Sequence, residues 1–134
     1  MNGVAPVGPT LFERVSGADG IASLMLHFYA DVRQHAVLGP IFDARIHDWP
    51  AHRAKIGDFW ALQTGGPSRY AGGFGAAHLS LGLQPEHFEH WLSLWELNCR
   101  RNLAAAEAEE LIGIAHQLAS RLRRITTGPD RGAR

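Results

Sequence analysis

The chain is poor in the features that mark several large classes of protein. Cys99 is the single cysteine among 134 residues, which excludes an internal disulfide and a cysteine-based metal framework. Lys and Arg number 13 and so do Asp and Glu, so charge gives no reason to expect binding to nucleic acid or to an anionic membrane. No apolar run approaches the roughly 20 residues that span a bilayer. The first residues lack a secretory-signal pattern, and we expect a cytoplasmic protein.

Alternating apolar and polar residues, which mark a half-buried strand, are also absent, and helical spacing takes their place. The first long helix is predicted to have Asp19 as its N-cap and to end at Gly39-Pro40, before a short apolar turn at Ile41-Phe42. Pro50 and Pro85 fit the first turns of two further helices.

A last helix is predicted from about Ala105, and residues 64–77 are too rich in glycine for a long regular element. We therefore expect an all-α chain with a flexible lead-in at 1–10, one domain at 11–125 and a flexible tail at 126–134. Two helices before the glycine-rich stretch and two after it predict two antiparallel pairs packed across each other. Neither pair needs all of the aromatic residues for its core, so the remaining aromatic residues would contact a flat apolar ligand between the pairs.

Two histidines in different settings indicate what that ligand is. His52 lies within a helical pattern, whereas His78 lies on a short segment between glycines. Imidazoles opposed across an aromatic-walled slot suit a haem iron, one as axial ligand and one on the gas-binding side. Purely structural roles are the alternatives for the candidate residues: His78 as a loop histidine, Tyr29 as a core-edge tyrosine with a solvated hydroxyl, and Trp91 as an ordinary core residue.

At these residues the chain resembles the truncated haemoglobins, and among them group III most. The resemblance covers roughly residues 12–125 and depends on the order and combination of its motifs. These are Phe28-Tyr29, Val32-Arg33, Leu38-Gly39-Pro40-Ile41-Phe42, Trp49, His52, Lys55-Ile56, Phe59-Trp60, Tyr70, Gly72, His78-Leu79, His87-Phe88, Trp91-Leu92 and Leu94. The stretch from Ile46 to His52 is shorter than group III leads us to expect.

The resemblance implies a truncated globin, a two-over-two helical sandwich that encloses haem b. It implies that His78 binds the iron and that Tyr29, His52 and Trp91 surround the bound gas. His52 has three alternative roles: donating to the ligand, swinging out as a gate, or binding the iron when no gas is present. The structural alternative is a helix histidine that packs at the rim. The remaining residues that the resemblance places around the haem are Phe28, Phe42, Lys55, Ile56, Phe59, Tyr70 and Phe88.

Three functions follow as alternatives. The first is redox chemistry of dioxygen and nitric oxide, such as NO detoxification or peroxidase-like turnover, with a separate reductase as partner. The second is reversible binding of O2, NO, CO or other small haem ligands for carriage, storage or sensing. The third is a helical interaction domain without haem. Six histidines without matched partners are interpreted as surface or structural: His27, His35, His47, His87, His90 and His116. A zinc pair at His87 and His90 is an alternative that would need further ligands.

Overall fold

The computed structural model describes residues 8–73 and 83–126, and every regular element in these ranges is a helix. In chain order these are α1 (Leu11–Arg14), α2 (Gly17–Gln34), α3 (Leu38–Asp43), α4 (Trp49–Thr64), α5 (Pro85–Asn102) and α6 (Ala105–Thr126). The predicted all-α class is confirmed, and the predicted starts at Pro85 and Ala105 are those of α5 and α6.

The bounds of α4 follow from its own residues. The carboxylate of Asp48 accepts a hydrogen bond from the backbone N–H of Ala51 at 3.0 Å, which satisfies a donor that the first turn leaves unpaired. Pro50 lies in that first turn, as predicted, where its missing N–H costs no intrahelical bond. The helix ends at Thr64, and Gly65 after it has a φ of 92°, a left-handed conformation that glycine adopts readily.

The predicted start of α2 was wrong by three residues, because the N-cap is Ser16 and not Asp19. The helix begins at Gly17, after a left-handed turn in which Ser16 has a φ of 75° and Gly17 a φ of 63°. Asp19 is therefore an acidic residue of the first turn, where it complements the helix dipole, and not the N-cap.

The predicted end of α2 at Gly39-Pro40 was also wrong, because α2 stops at Gln34. The imidazole Nδ1 of His35 accepts the backbone N–H groups of Val37 and Leu38, each at 3.1 Å, and so stabilises the turn that leads into α3. Residues 41 and 42, predicted to form a turn, are helical within α3. A Cβ atom on Gly39 would lie 2.6 Å from the carbonyl oxygen of Arg33, so glycine allows α3 to start this close to α2.

The long helices form the two predicted antiparallel pairs. In the first, α2 lies against α4: Tyr29 contacts His52 near one end, and Gly57 approaches Ile21 near the other. In the second, α5 lies against α6, and the indole N–H of Trp95 donates to the carbonyl oxygen of Leu111 at 3.3 Å. Across the two pairs α2 packs on α5, which places the core between them. In the described ranges no helix is both long and apolar enough to cross a membrane.

Candidate functional site

A cavity of about 270 Å³ lies between the two helix pairs. It is larger than the roughly 150 Å³ apolar cavity that admits a benzene molecule, so it is a ligand-sized space and not a packing defect. Its walls come from α2, α3, α4, α5, α6 and the segments between them, and they consist of Tyr29, Leu38, Phe42, Arg45, Ile46, His52, Lys55, Ile56, Phe59, Trp60, Tyr70, Leu83, His87, Phe88, Trp91, Leu118, Ala119 and Leu122.

A hydroxyl and an imidazole lie hydrogen-bonded at this mainly apolar wall. The Tyr29 oxygen is 3.2 Å from Nε2 of His52, and the two rings meet edge to face at 5.1 Å between centroids. Tyr29 is 4% exposed, and burial raises the pKa of its phenol well above the ordinary value. Trp49 packs against both rings, at 5.6 Å from Tyr29 and 5.7 Å from His52. The phenol therefore stays protonated at neutral pH and is held as a donor.

Trp91 faces the cavity from α5 and is half-buried, whereas Trp95 is fully buried behind it. Phe28 does not line the cavity: its ring packs edge-on against Trp91 at 5.5 Å and Trp95 at 5.0 Å. Phe28 therefore supports the wall from behind, which places it one layer away from the position that the resemblance implied.

The other predicted side chains divide into an apolar wall and a polar rim. Phe42, Ile56, Phe59 and Phe88 line the wall, and Lys55 and Tyr70 line the rim. The Tyr70 ring packs against Phe59 at 5.1 Å, and its backbone N–H donates to Ser68 Oγ at 3.0 Å. Ser68 in turn donates to the carbonyl of Asp58 at 2.6 Å, which fixes this loop against α4. Burial raises the pKa of the Tyr70 phenol.

Sequence reasoning missed several lining residues. Arg45 and Ile46 lie beyond the end of α3, where no periodicity signals which side chain turns inward. His87 also lines the cavity although it was interpreted as a surface or structural histidine, and its Nδ1 accepts the backbone N–H of Gln84 at 2.9 Å. Its place in the first turn of α5, directly before a cavity phenylalanine, was the available signal.

Three other histidines have partners that the sequence did not suggest. Nε2 of His116 lies 2.6 Å from a carboxylate oxygen of Glu96, and the rings of His35 and His90 lie 4.7 Å apart. Among the residues that the structure describes, no three potential ligands come together as a metal site, so a zinc site at His87 and His90 finds no support. His78, the predicted iron ligand, lies outside the described residues.

The described walls fit haem. Apolar and aromatic side chains line most of the cavity and match the faces of a flat hydrophobic macrocycle. The cationic side chains of Arg45 and Lys55 also line it and suit ionised carboxylates at one edge of such a molecule. The phenol of Tyr29 supplies a single protonated donor deep in the wall, where a small polar ligand would lie.

The chain matches known proteins along most of its length. The model of the bacterial-like globin family matches residues 10–124. The group 3 truncated haemoglobin ctb of Campylobacter jejuni is 43% identical over 90 residues, in a match that covers 63% of this chain and 70% of that protein.

Solved structures agree with these matches. The crystal structure of a group III truncated haemoglobin from Campylobacter jejuni superposes with a TM-score of 0.78 and 36% identity, covering 82% of this chain and 91% of that one. A group II truncated haemoglobin from Bacillus anthracis gives a TM-score of 0.77 and 25% identity, covering 87% and 92% of the two chains. The family match, the helical sandwich and the aromatic cavity agree: the chain belongs to the bacterial-like globins and is a truncated haemoglobin, most like group III, with haem as its cofactor.

Proposed function

We propose that the protein retains dioxygen in its cavity and uses it to convert nitric oxide to nitrate. The observation that carries the proposal is the buried Tyr29 hydroxyl, 3.2 Å from Nε2 of His52 in a mainly apolar cavity. A carrier needs fast release of its ligand, whereas a strong buried donor slows release and leaves time for a second reactant to arrive.

Bound haem supplies the iron at which a diatomic gas binds and through which an electron is delivered. The chain supplies the hydrogen bonds. With Nε2 of His52 unprotonated, the Tyr29 hydroxyl has one proton to donate either to that nitrogen or to a ligand in the cavity. With Nε2 protonated, the imidazole donates to the phenolic oxygen and leaves the phenol proton free for the ligand. Donors fixed in place before the reaction stabilise negative charge on oxygen at little reorganisation cost.

Trp91 completes the proposed ligand site. Its indole N–H is a donor that does not ionise near neutral pH, so it can hold a ligand without protonating it. Trp91 lines the cavity from α5, on the other helix pair from Tyr29. The two side chains thus approach the cavity from opposite pairs, and we propose that both face the bound gas.

The reaction balances as NO plus O2 plus one electron giving nitrate. The electron must come from a donor outside the described chain, so we propose a separate reductase as partner. We propose that His78 would hold the iron of bound haem, on the resemblance of its sequence setting. A His78→Ala protein should then lose or change the Soret response to carbon monoxide that the wild type gives.

The test of function is a stopped-flow reaction of the dioxygen-loaded ferrous protein with nitric oxide. We expect one nitrate for each nitric oxide consumed, and sustained turnover once an electron donor is added. Dioxygen release within seconds, with no nitrate formed, would contradict the proposal and indicate reversible carriage. Turnover of hydroperoxide with an added electron donor, but none of nitric oxide, would indicate the peroxidase-like alternative.

A further inference from the structure

Three of the four tryptophans form a stack beside the cavity. The ring centroids of Trp60 and Trp95 lie 4.5 Å apart with 17° between the ring planes, and those of Trp91 and Trp95 lie 5.7 Å apart with 6° between planes. Trp60 and Trp91 line the cavity, and Trp95 lies behind them, fully buried. We call Trp60, Trp91 and Trp95 the indole stack.

Packing alone explains part of this arrangement, since offset-stacked aromatic rings attract each other. It has a second consequence, because indole is an easily oxidised side chain. Nearly parallel rings at these distances overlap through their π electrons, so a positive charge left by the loss of one electron is shared among neighbouring rings. Sharing lowers the energy of the oxidised state, and two members of the stack stand at the cavity wall.

The charges around the four tryptophans favour the indole stack over the remaining indole. The guanidinium of Arg33 lies 4.6 Å from the ring centroid of Trp49 and repels a positive charge on that ring. Within the described residues, the cations found over aromatic rings lie on Trp49 and Phe88, and none lies over the indole stack. The indole N–H of Trp95 donates to the backbone carbonyl of Leu111, which is too weakly basic to take the proton when the indole loses an electron.

We propose that the indole stack is a site of one-electron oxidation and supplies an electron when a hydroperoxide is reduced in the cavity. A hydroperoxide takes up two electrons and two protons, its O–O bond breaks, and an alcohol and water are formed. Bound haem would supply one of the two electrons and the indole stack the other, and the protons come from solvent. The positive charge then remains on the stack until an external one-electron donor reduces it, and a second electron from that donor restores the cofactor. The proposal depends on haem in the cavity and not on nitric oxide turnover.

The first test uses the wild-type, haem-loaded protein, so that no substitution can disturb the fold. The ferric protein is mixed with hydrogen peroxide, frozen, and examined by electron paramagnetic resonance after growth with ring-deuterated tryptophan or ring-deuterated tyrosine. We expect the radical signal to narrow with deuterated tryptophan alone. Narrowing with deuterated tyrosine would place the oxidation on Tyr29 or Tyr70 and overturn the proposal, as would the absence of a protein radical.

The second test separates the tryptophans by tryptic peptide. Cleavage after Lys and Arg leaves Trp49 in peptide 46–53, Trp60 in 56–69, and Trp91 with Trp95 in 70–100. Mass spectrometry after peroxide treatment should find oxidised tryptophan mainly in the last two peptides. An unpaired unit charge 4.6 Å from Trp49 would disfavour its oxidation about fourfold at the dielectric constant of water. Arg33 is also ion-paired with Asp43 at 3.7 Å, which makes the effect smaller. Oxidation that is highest in peptide 46–53 would overturn the proposal.

Substitutions give the matched comparison. Trp95→Phe removes the indole shared by both stacked contacts and should reduce the tryptophan radical yield severalfold. Trp49→Phe should leave that yield near the wild-type level. The carbon monoxide spectrum of each variant shows whether the cofactor is bound, so a failure to fold is distinguished from a lost radical. A normal yield in a haem-loaded Trp95→Phe protein would refute the role of the stack.

Discussion

Replacing Tyr29 by phenylalanine is expected to speed dioxygen release about tenfold to a hundredfold. The hydroxyl is buried in a side chain that is 4% exposed, so water does not readily take its place as donor. A hydrogen bond to a group with developed negative charge contributes about 1.5–3 kcal/mol. That free energy corresponds to a factor of about 10 to 100 in ligand retention.

The same substitution should change stability little. Phenylalanine keeps the ring that packs against Phe28 at 5.0 Å and Trp49 at 5.6 Å. The lost hydrogen bond leaves His52 without one partner, but this imidazole is half-buried and water can approach it. The free energy of unfolding should therefore fall by no more than about 1 kcal/mol. The effect on ligand release is then separable from an effect on folding.

The assay is displacement of dioxygen by excess carbon monoxide in a stopped-flow instrument, followed at the Soret band. Tyr70→Phe is the matched comparison, because it also removes a phenolic hydroxyl from the cavity lining. Tyr70 lies in the segment after α4, whereas Tyr29 lies within α2. Dioxygen release from that variant should stay close to the wild-type rate. An unchanged rate in a folded, haem-loaded Tyr29→Phe protein would refute the role given to Tyr29.

Further predictions concern the fold and its surface. Gly39→Ala places a Cβ atom 2.6 Å from a backbone oxygen at the end of α2, and should destabilise the protein by about 1–3 kcal/mol in urea unfolding. Gly113→Ala meets nothing within 4 Å and should stabilise α6 by up to about 1 kcal/mol. Burial raises the pKa of the Cys99 thiol to about 12, so iodoacetamide at about pH 8 should label it only after unfolding. The hydrogen bonds from Arg14 lower the pKa of Glu110 below 4.5, so this stabilisation is complete above that pH and is lost as the pH falls through the lower, folded-state value. The difference in Tm between wild type and Glu110→Gln should therefore close on acidification, and a difference independent of pH would contradict this account.

Much of the fold could be predicted because the relevant information is local. A proline in the first turn of a helix costs no hydrogen bond, so Pro85 could be predicted to begin a helix. The spacing of apolar residues then shows which face of that helix is buried. The predictions around α2 failed for a different reason. Ser16 has a positive φ that residues other than glycine rarely adopt, so its type does not indicate the turn. The bonds from Val37 and Leu38 to the ring of His35 are local, but the spacing of apolar residues does not report them.

The site residues were likewise predictable where the information is local and less so where helix packing decides. The motifs identified Tyr29, His52 and Trp91, and the structure brings all three to one cavity. Phe28 and His87 differ from expectation, since the first lies behind the wall and the second lines it. Helical periodicity gives the buried face of one helix but not the angle at which two helices cross. That angle decides whether an inward side chain meets the cavity or a neighbouring ring.

The cavity walls come from both ends of the described chain, from Tyr29 in α2 to Leu122 in α6. No fragment of the fold can form the pocket alone, so cofactor binding and global folding are thermodynamically linked. At a free haem concentration a hundredfold above Kd, the folded state gains about 2.7 kcal/mol relative to the unfolded chain. Protein made when haem is scarce would unfold more often and meet cellular proteases more often. Its abundance should then follow haem supply without any change in synthesis.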